Sequence, residues 1–170
     1  MTDRVNPTIL VAGVGNIFLG DDAFGVEVAQ RMASRPLPPN VRVVDFGIRS
    51  YDLAYALMEA WELVILVDAL SRGNAPGTVY TIEAELPPAG SQPASFGFDA
   101  HSMNPVAVLE LVTTLGGHLD RLLVVGCEPA SVEPDQEGRI GLSKPVEAAV
   151  NEAIRMVEEL IIRNTRSVAA

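Results

Sequence analysis

Residues 9–14, ILVAGV, are apolar without interruption, and a run with no polar alternation predicts a strand covered on both faces. Beyond it, Phe24, Val28 and Met32 recur at every fourth position, flanked by Val26, Ala29 and Ala33. That spacing predicts a helix laying one broad stripe onto a sheet. Gly13, Gly15 and Gly20 punctuate the turn between the two. Asp21 and Asp22 stand where the helix should start, and either can cap it. Pro36, Pro38 and Pro39 end the helix in a stiff connection.

Strand and helix patterns then alternate. Residues 41–46 predict a second strand, and residues 51–60 a second helix with Leu53, Ala56, Leu57 and Ala60 facing inward. Residues 63–67, LVILV, are solidly apolar and run into Asp68, which predicts a central strand. Residues 78–84 alternate well enough for an edge strand. The preceding stretch 69–77 is too short for a helical crossover, so this strand is expected antiparallel to its neighbours. Residues 86–100, rich in Pro, Ala, Ser and Gly, predict a long mobile loop that closes on His101.

Ser102 or Asn104 can cap a third helix with Pro105 in its first turn and Gly116-Gly117 as its stop. Its expected inner face is Val106, Leu109, Val112, Thr113 and Leu115. Residues 121–127 predict the last core strand, and residues 128–141 an irregular acidic loop. Ser143 is expected to cap the final helix at residues 145–163, whose stripe is Val146, Ala149, Val150, Ala153, Ile154, Val157, Leu160 and Ile161. Residues 1–8 and 164–170 are expected to fray.

This alternation predicts a three-layer α/β/α sandwich around a twisted, mostly parallel five-stranded sheet. The expected strand order is 2-1-3-5-4, with strand 4 antiparallel. No repeat or linker divides the chain, so residues 1–170 are expected to form a single domain. Strands 1 and 3 wind outward in opposite directions, and ligands of such sheets bind beyond the carboxyl ends at that switch point.

Composition narrows the function classes. With 170 residues and 48% hydrophobic content the chain can bury a full core. A net charge of −10, with only 12 Lys and Arg, argues against nucleic acid and anionic membranes as partners. No apolar run reaches membrane-spanning length and residues 1–7 carry no apolar signal core, so a cytoplasmic protein without membrane insertion is expected. A single cysteine, Cys127, rules out an internal disulfide and a cysteine-based zinc site.

The first turn is the place to look for chemistry. Gly13-Val14-Gly15 begins like a dinucleotide fingerprint, but the next glycine is Gly20, and the turn holds two aspartates and no Lys or Arg. A phosphate would meet like charge there. One aspartate suffices as a helix cap; a cation is the simplest use for a second. The topology brings Asp22, after strand 1, and Asp68, ending strand 3, to the same sheet edge as His101. Two carboxylates and an imidazole suit a first-row divalent metal such as nickel, zinc or iron. Each residue alone also has a plain structural use: a cap, a strand end, a loop histidine. His118 reads as a surface residue at a helix end, and Cys127 as an inert core thiol with no histidine partner.

Several segments together resemble the hydrogenase maturation proteases. They are GVGNIFLGDDAFGVEVA at residues 13–29, VILVDAL at 64–70 with NAPGTV at 74–79, His101 ahead of an amphipathic helix, and VVGCEPASVEP and GLSKPVEAAV within 124–150. The resemblance runs over roughly residues 9–160. It implies the same sandwich, of the phosphorylase/hydrolase-like type. It also implies an endopeptidase that removes the C-terminal extension of a nickel-iron hydrogenase large-subunit precursor after nickel insertion. The family's nickel-contacting residues fall on Asp22, Asp68 and His101, which the resemblance makes the catalytic and metal-contacting set.

On this resemblance the nickel belongs to the precursor, though the isolated protein can take another divalent metal. Asn16 stands where it can orient a ligand or the peptide, or merely shape the turn. A monomer is expected. The chain departs from the family at Gly47-Ile48, where many members have Gly-Thr, and at Ser102-Met103-Asn104, a variable region expected to bear on substrate choice. The loops at 86–100 and 128–141 are expected to clasp the substrate tail. The rival expectations are a non-enzymatic nickel-binding or delivery module with the same three ligands, and a phosphate- or nucleotide-binding domain using the glycine turn.

Overall fold

A computed structural model of the chain describes residues 8–86, 105–130 and 140–166. Five strands, β1 (Ile9–Val14), β2 (Val41–Gly47), β3 (Leu63–Ala69), β4 (Val79–Glu83) and β5 (Leu122–Cys127), form one sheet in the order β2-β1-β3-β5-β4. All neighbours are parallel except β4 and β5. The two apolar runs of the sequence serve both faces at once. Ile9, Val11, Ile65 and Val67 lie in one core, and Leu10, Ala12, Val64 and Leu66 in the other, as the two-residue period of a strand requires.

Helices α1 (Phe24–Ala33) and α4 (Lys144–Arg166) cover the first face, and α2 (Ser50–Leu57) and α3 (Pro105–Thr114) the second. Phe24, Val28 and Met32 are fully buried on the first face. Each such side chain contributes roughly 1.5–3 kcal/mol, which anchors α1 and the turn that leads into it. The α1 backbone comes unusually close to the sheet. A Cβ on Gly25 would stand 2.1 Å from the Val67 carbonyl oxygen and 2.4 Å from that of Val14. Helix α1 is therefore seated on the carboxyl ends of β1 and β3, at the switch point itself.

Some boundaries and faces differ from those expected. A 3-10 turn at Gly20–Ala23 precedes α1, and neither aspartate in it makes a side-chain cap to the helix. Ala33 is exposed. Helix α2 stops at Leu57 and leaves Ala60 exposed, because the chain turns there to bury Trp61, whose Nε1–H donates to the Ala56 carbonyl at 2.7 Å. Among the described side chains of α3, Val108 and Val112 are buried and Leu109 lies at the margin, while Leu115 just past the helix is exposed; the Val106 side chain lies outside those described. Helix α4 continues through Arg166, beyond the expected fraying point. Residues 87–100 of the loop expected at 86–100, the caps Ser102 and Asn104, and residues 131–139 of the acidic loop lie outside the described residues. Among the described residues, no helix is long and apolar enough to cross a membrane.

Candidate active site at the switch point

The turn after β1 is a closed network of its own polar groups. The Gly15 N–H donates to the Gly47 carbonyl at 3.0 Å, and the Leu19 N–H to the Asn16 carbonyl at 3.1 Å. The Phe18 N–H donates to Asn16 Oδ1 at 2.9 Å. The Asn16 N–H donates to Asp22 Oδ2 at 2.8 Å. Gly15 has φ +140°, and a Cβ there would fall 1.8 Å from the Asp22 carbonyl oxygen. Only glycine lets the chain fold back this tightly, so the turn is built around Asp22. These amides, which a phosphate would need, are committed to internal acceptors, one of them the Asp22 carboxylate. This counts against the phosphate alternative.

Asp68 lies one strand away, near the end of β3, and is 4% exposed. Its carboxyl is pushed well above the ordinary carboxylate range, first by burial and next by the charge of Asp22; the Ala69 amide opposes this. Burial also raises Asp22, against the hydrogen bond from Asn16. The structure therefore brings the half-buried Asp22 close enough to the buried Asp68 for its charge to be felt there. Neither forms an ion pair among the described residues. Two carboxylates so placed favour holding a proton between them or facing a cation.

His101, the third expected member, lies outside the described residues. Among the described residues no three His, Cys, Asp or Glu side chains converge on a metal position. Asn16 supports Asp22 through its backbone amide, while its side chain is turned to the Phe18 amide. His118 is half exposed beside Asp120 at 3.6 Å, in a surface cleft with Thr8, Trp61 and Glu62. That cleft flanks the amino ends of β1 and β3, the edge opposite the pair. Cys127 is fully buried, and burial, followed by the charges of Asp21 and Glu128, pushes its thiol up to about 12. It is a core thiol.

Two buried acids have roles beyond the sequence reading. Glu128, 5% exposed, accepts the Arg72 and Gly73 amides at 2.8 and 3.2 Å and so fastens the connection that follows Asp68. Asp21, also 5% exposed, accepts the Ser143 amide at 2.7 Å, the Ser143 hydroxyl at 2.9 Å and the Ala130 amide at 2.8 Å. Ser143 does occupy the position before α4, its carbonyl accepting the Glu147 amide at 2.8 Å, but its hydroxyl goes to Asp21 rather than back to the helix.

Sheet order, helix seating and acids gathered beyond the carboxyl ends define an α/β/α protein with a candidate site at the switch point. The model of the hydrogenase maturation protease family matches residues 26–160. The chain is 34% identical over 152 residues to the hydrogenase 2 maturation protease of Escherichia coli, spanning 88% of this chain and 87% of that protein. It is likewise 34% identical over 152 residues to a putative hydrogenase maturation protease of Methanocaldococcus jannaschii, spanning 88% and 93%. The solved structure of the maturating endopeptidase HybD from E. coli superposes with a TM-score of 0.72 at 30% identity, covering 92% of this chain and 93% of that one. The chain belongs to the hydrogenase maturation protease family, and it is an endopeptidase of that class.

Proposed function

We propose that Asp22 and Asp68, together with His101, carry out one peptide-bond hydrolysis that removes the C-terminal extension of a nickel-iron hydrogenase large-subunit precursor. The observation that supports this most directly is the half-buried Asp22 beside the buried Asp68, a repulsion that a substrate-borne divalent ion would relieve. Nickel in this reading arrives with the precursor, so cleavage follows metal insertion. The ion can polarise the scissile carbonyl or acidify a water bound to it. A carboxylate with a raised pKa is also suited to take the proton of that water. Asn16 holds Asp22 in place through its amide. We read the enzyme as a cytoplasmic monomer.

The surroundings of the pair suit a polypeptide. Ile17, Phe18 and Leu19 are 48, 55 and 41% exposed on the turn that holds Asp22, and Ile48 is 57% exposed on the neighbouring β2–α2 connection. The hydrogen bonds of the turn fix this apolar rim in the open, where a substrate chain can cover it at little ordering cost.

Mass spectrometry of a precursor incubated with the protein tests the reading. The nickel-loaded form should lose its C-terminal extension, and the nickel-free form should stay intact. A nickel-loaded precursor left uncut would refute the reading, and tight nickel binding without cleavage would favour a delivery module.

A further inference from the structure

Asp21 and Asp22 are adjacent, yet their side chains serve different parts of the molecule. In a 3-10 turn successive side chains point about 120° apart. Asp22 faces the Asn16 amide, on the side of Asp68. Asp21 faces Ala130, just beyond β5, and Ser143, at the head of α4. Both its oxygens are used: Oδ1 accepts the Ser143 amide, while Oδ2 accepts the Ala130 amide and the Ser143 hydroxyl. A helix cap would bind the amides of its own turn. Asp21 binds none of these.

We propose that Asp21 is a positioning residue: by tying the 3-10 turn to Ala130 and Ser143, it keeps Asp22 facing Asp68. The inference rests on the reading that Asp22 and Asp68 carry the hydrolysis. Its mechanical basis is on either side of Asp22. Gly15 packs against the Asp22 carbonyl from one side, and the three bonds of Asp21 hold the preceding residue from the other. The turn is clamped between β1 and α4, so the Asp22 carboxylate has little freedom to swing from its partner. Three hydrogen bonds to a buried carboxylate also set direction more narrowly than apolar packing does.

Two variants test this. Asp21→Asn keeps one acceptor oxygen but turns an amide group toward one of the two donor amides. Ser143→Ala removes only the hydroxyl contact. Asp21→Asn should lower kcat about tenfold with KM within about threefold, since small misplacements of a reacting group cost rate before affinity. Ser143→Ala should show a smaller loss in the same direction. Hydrogen–deuterium exchange on the whole protein should quicken in peptides covering 15–24 in both variants, with β3 peptides unchanged. Wild-type kcat in a folded Asp21→Asn, unchanged exchange at 15–24, or exchange raised evenly along the chain would each overturn the proposal. If the unsubstituted protein cuts no precursor, the hydrolysis reading fails on its own, and the exchange result still decides whether Asp21 clamps the turn.

Discussion

Burial, and then the charge of Asp22, hold the Asp68 carboxyl well above the ordinary carboxylate range. Asp22 sits in the 3-10 turn that follows β1 and Asp68 near the end of β3, and the two meet at the switch point. A fold that spends stability on such a contact is expected to gain function from it.

Replacing one acid should separate stability from activity. Asp68→Asn removes the repulsion and the buried charge while keeping shape. The metal-free variant should be more stable at neutral pH by roughly 1 kcal/mol, about 2–4 °C in Tm, and should lose most of its precursor trimming. Thermal melts and the trimming reaction run side by side check both halves.

The same contact fixes the sign of a pH dependence. Asp68 and Asp22 both have raised folded-state values, so the folded protein holds protons that the unfolded chain releases. Their penalty is absent below the unfolded carboxylate range of about pH 4 and grows as pH rises through their folded values. The stability advantage of Asp68→Asn over the unsubstituted metal-free protein should therefore widen from about pH 4 toward neutrality. Urea melts across that range measure it. An advantage that shrinks with rising pH would reverse the sign.

The apolar rim should act on binding. Phe18→Asp places a charge where the substrate chain is expected to lie. It should raise KM about tenfold or more, the cost of roughly 1.4 kcal/mol of binding, while kcat changes little. Steady-state kinetics on the precursor separate the two.

Cys127 should be silent in the native state. With the thiol buried and pushed up to about 12, thiolate is scarce. Iodoacetamide should label it only once denaturant unfolds the chain, with native activity unaffected.

Gly25→Ala should be costly out of proportion to one methyl group. The new Cβ would meet the carbonyl oxygens of Val67 and Val14, which are backbone atoms that cannot turn aside. A loss of roughly 2–3 kcal/mol is expected, about 5–10 °C in Tm.

Much of this architecture is legible in the sequence. The runs 9–14 and 63–67 are apolar at every position because each strand faces two cores. The short connection 69–77 permits only an antiparallel β4. Asp68 directly ends the second run and Asp22 lies in the turn that follows the first, so their meeting at one sheet edge follows from topology. The partners of Asp21 do not. Ser143 lies 122 residues away, and no local pattern separates a fastening carboxylate from a helix cap. Gly25 is masked by an otherwise regular helical stripe. An isolated glycine inside that stripe is the available signal of close packing. Helix ends are set by tertiary demands, such as the burial of Trp61 beyond α2. His101 lies outside the described residues, and its expected place at the same sheet edge comes from the predicted topology and the family resemblance.

The most direct test is a double-mutant cycle on kcat for precursor trimming, with Asp22→Asn, Asp68→Asn and the pair. Two carboxylates acting as one unit predict that each single change abolishes most of the rate and that the double variant is hardly worse. Independent, multiplying losses, or a single variant that trims at the wild-type rate, would contradict a shared site at the switch point.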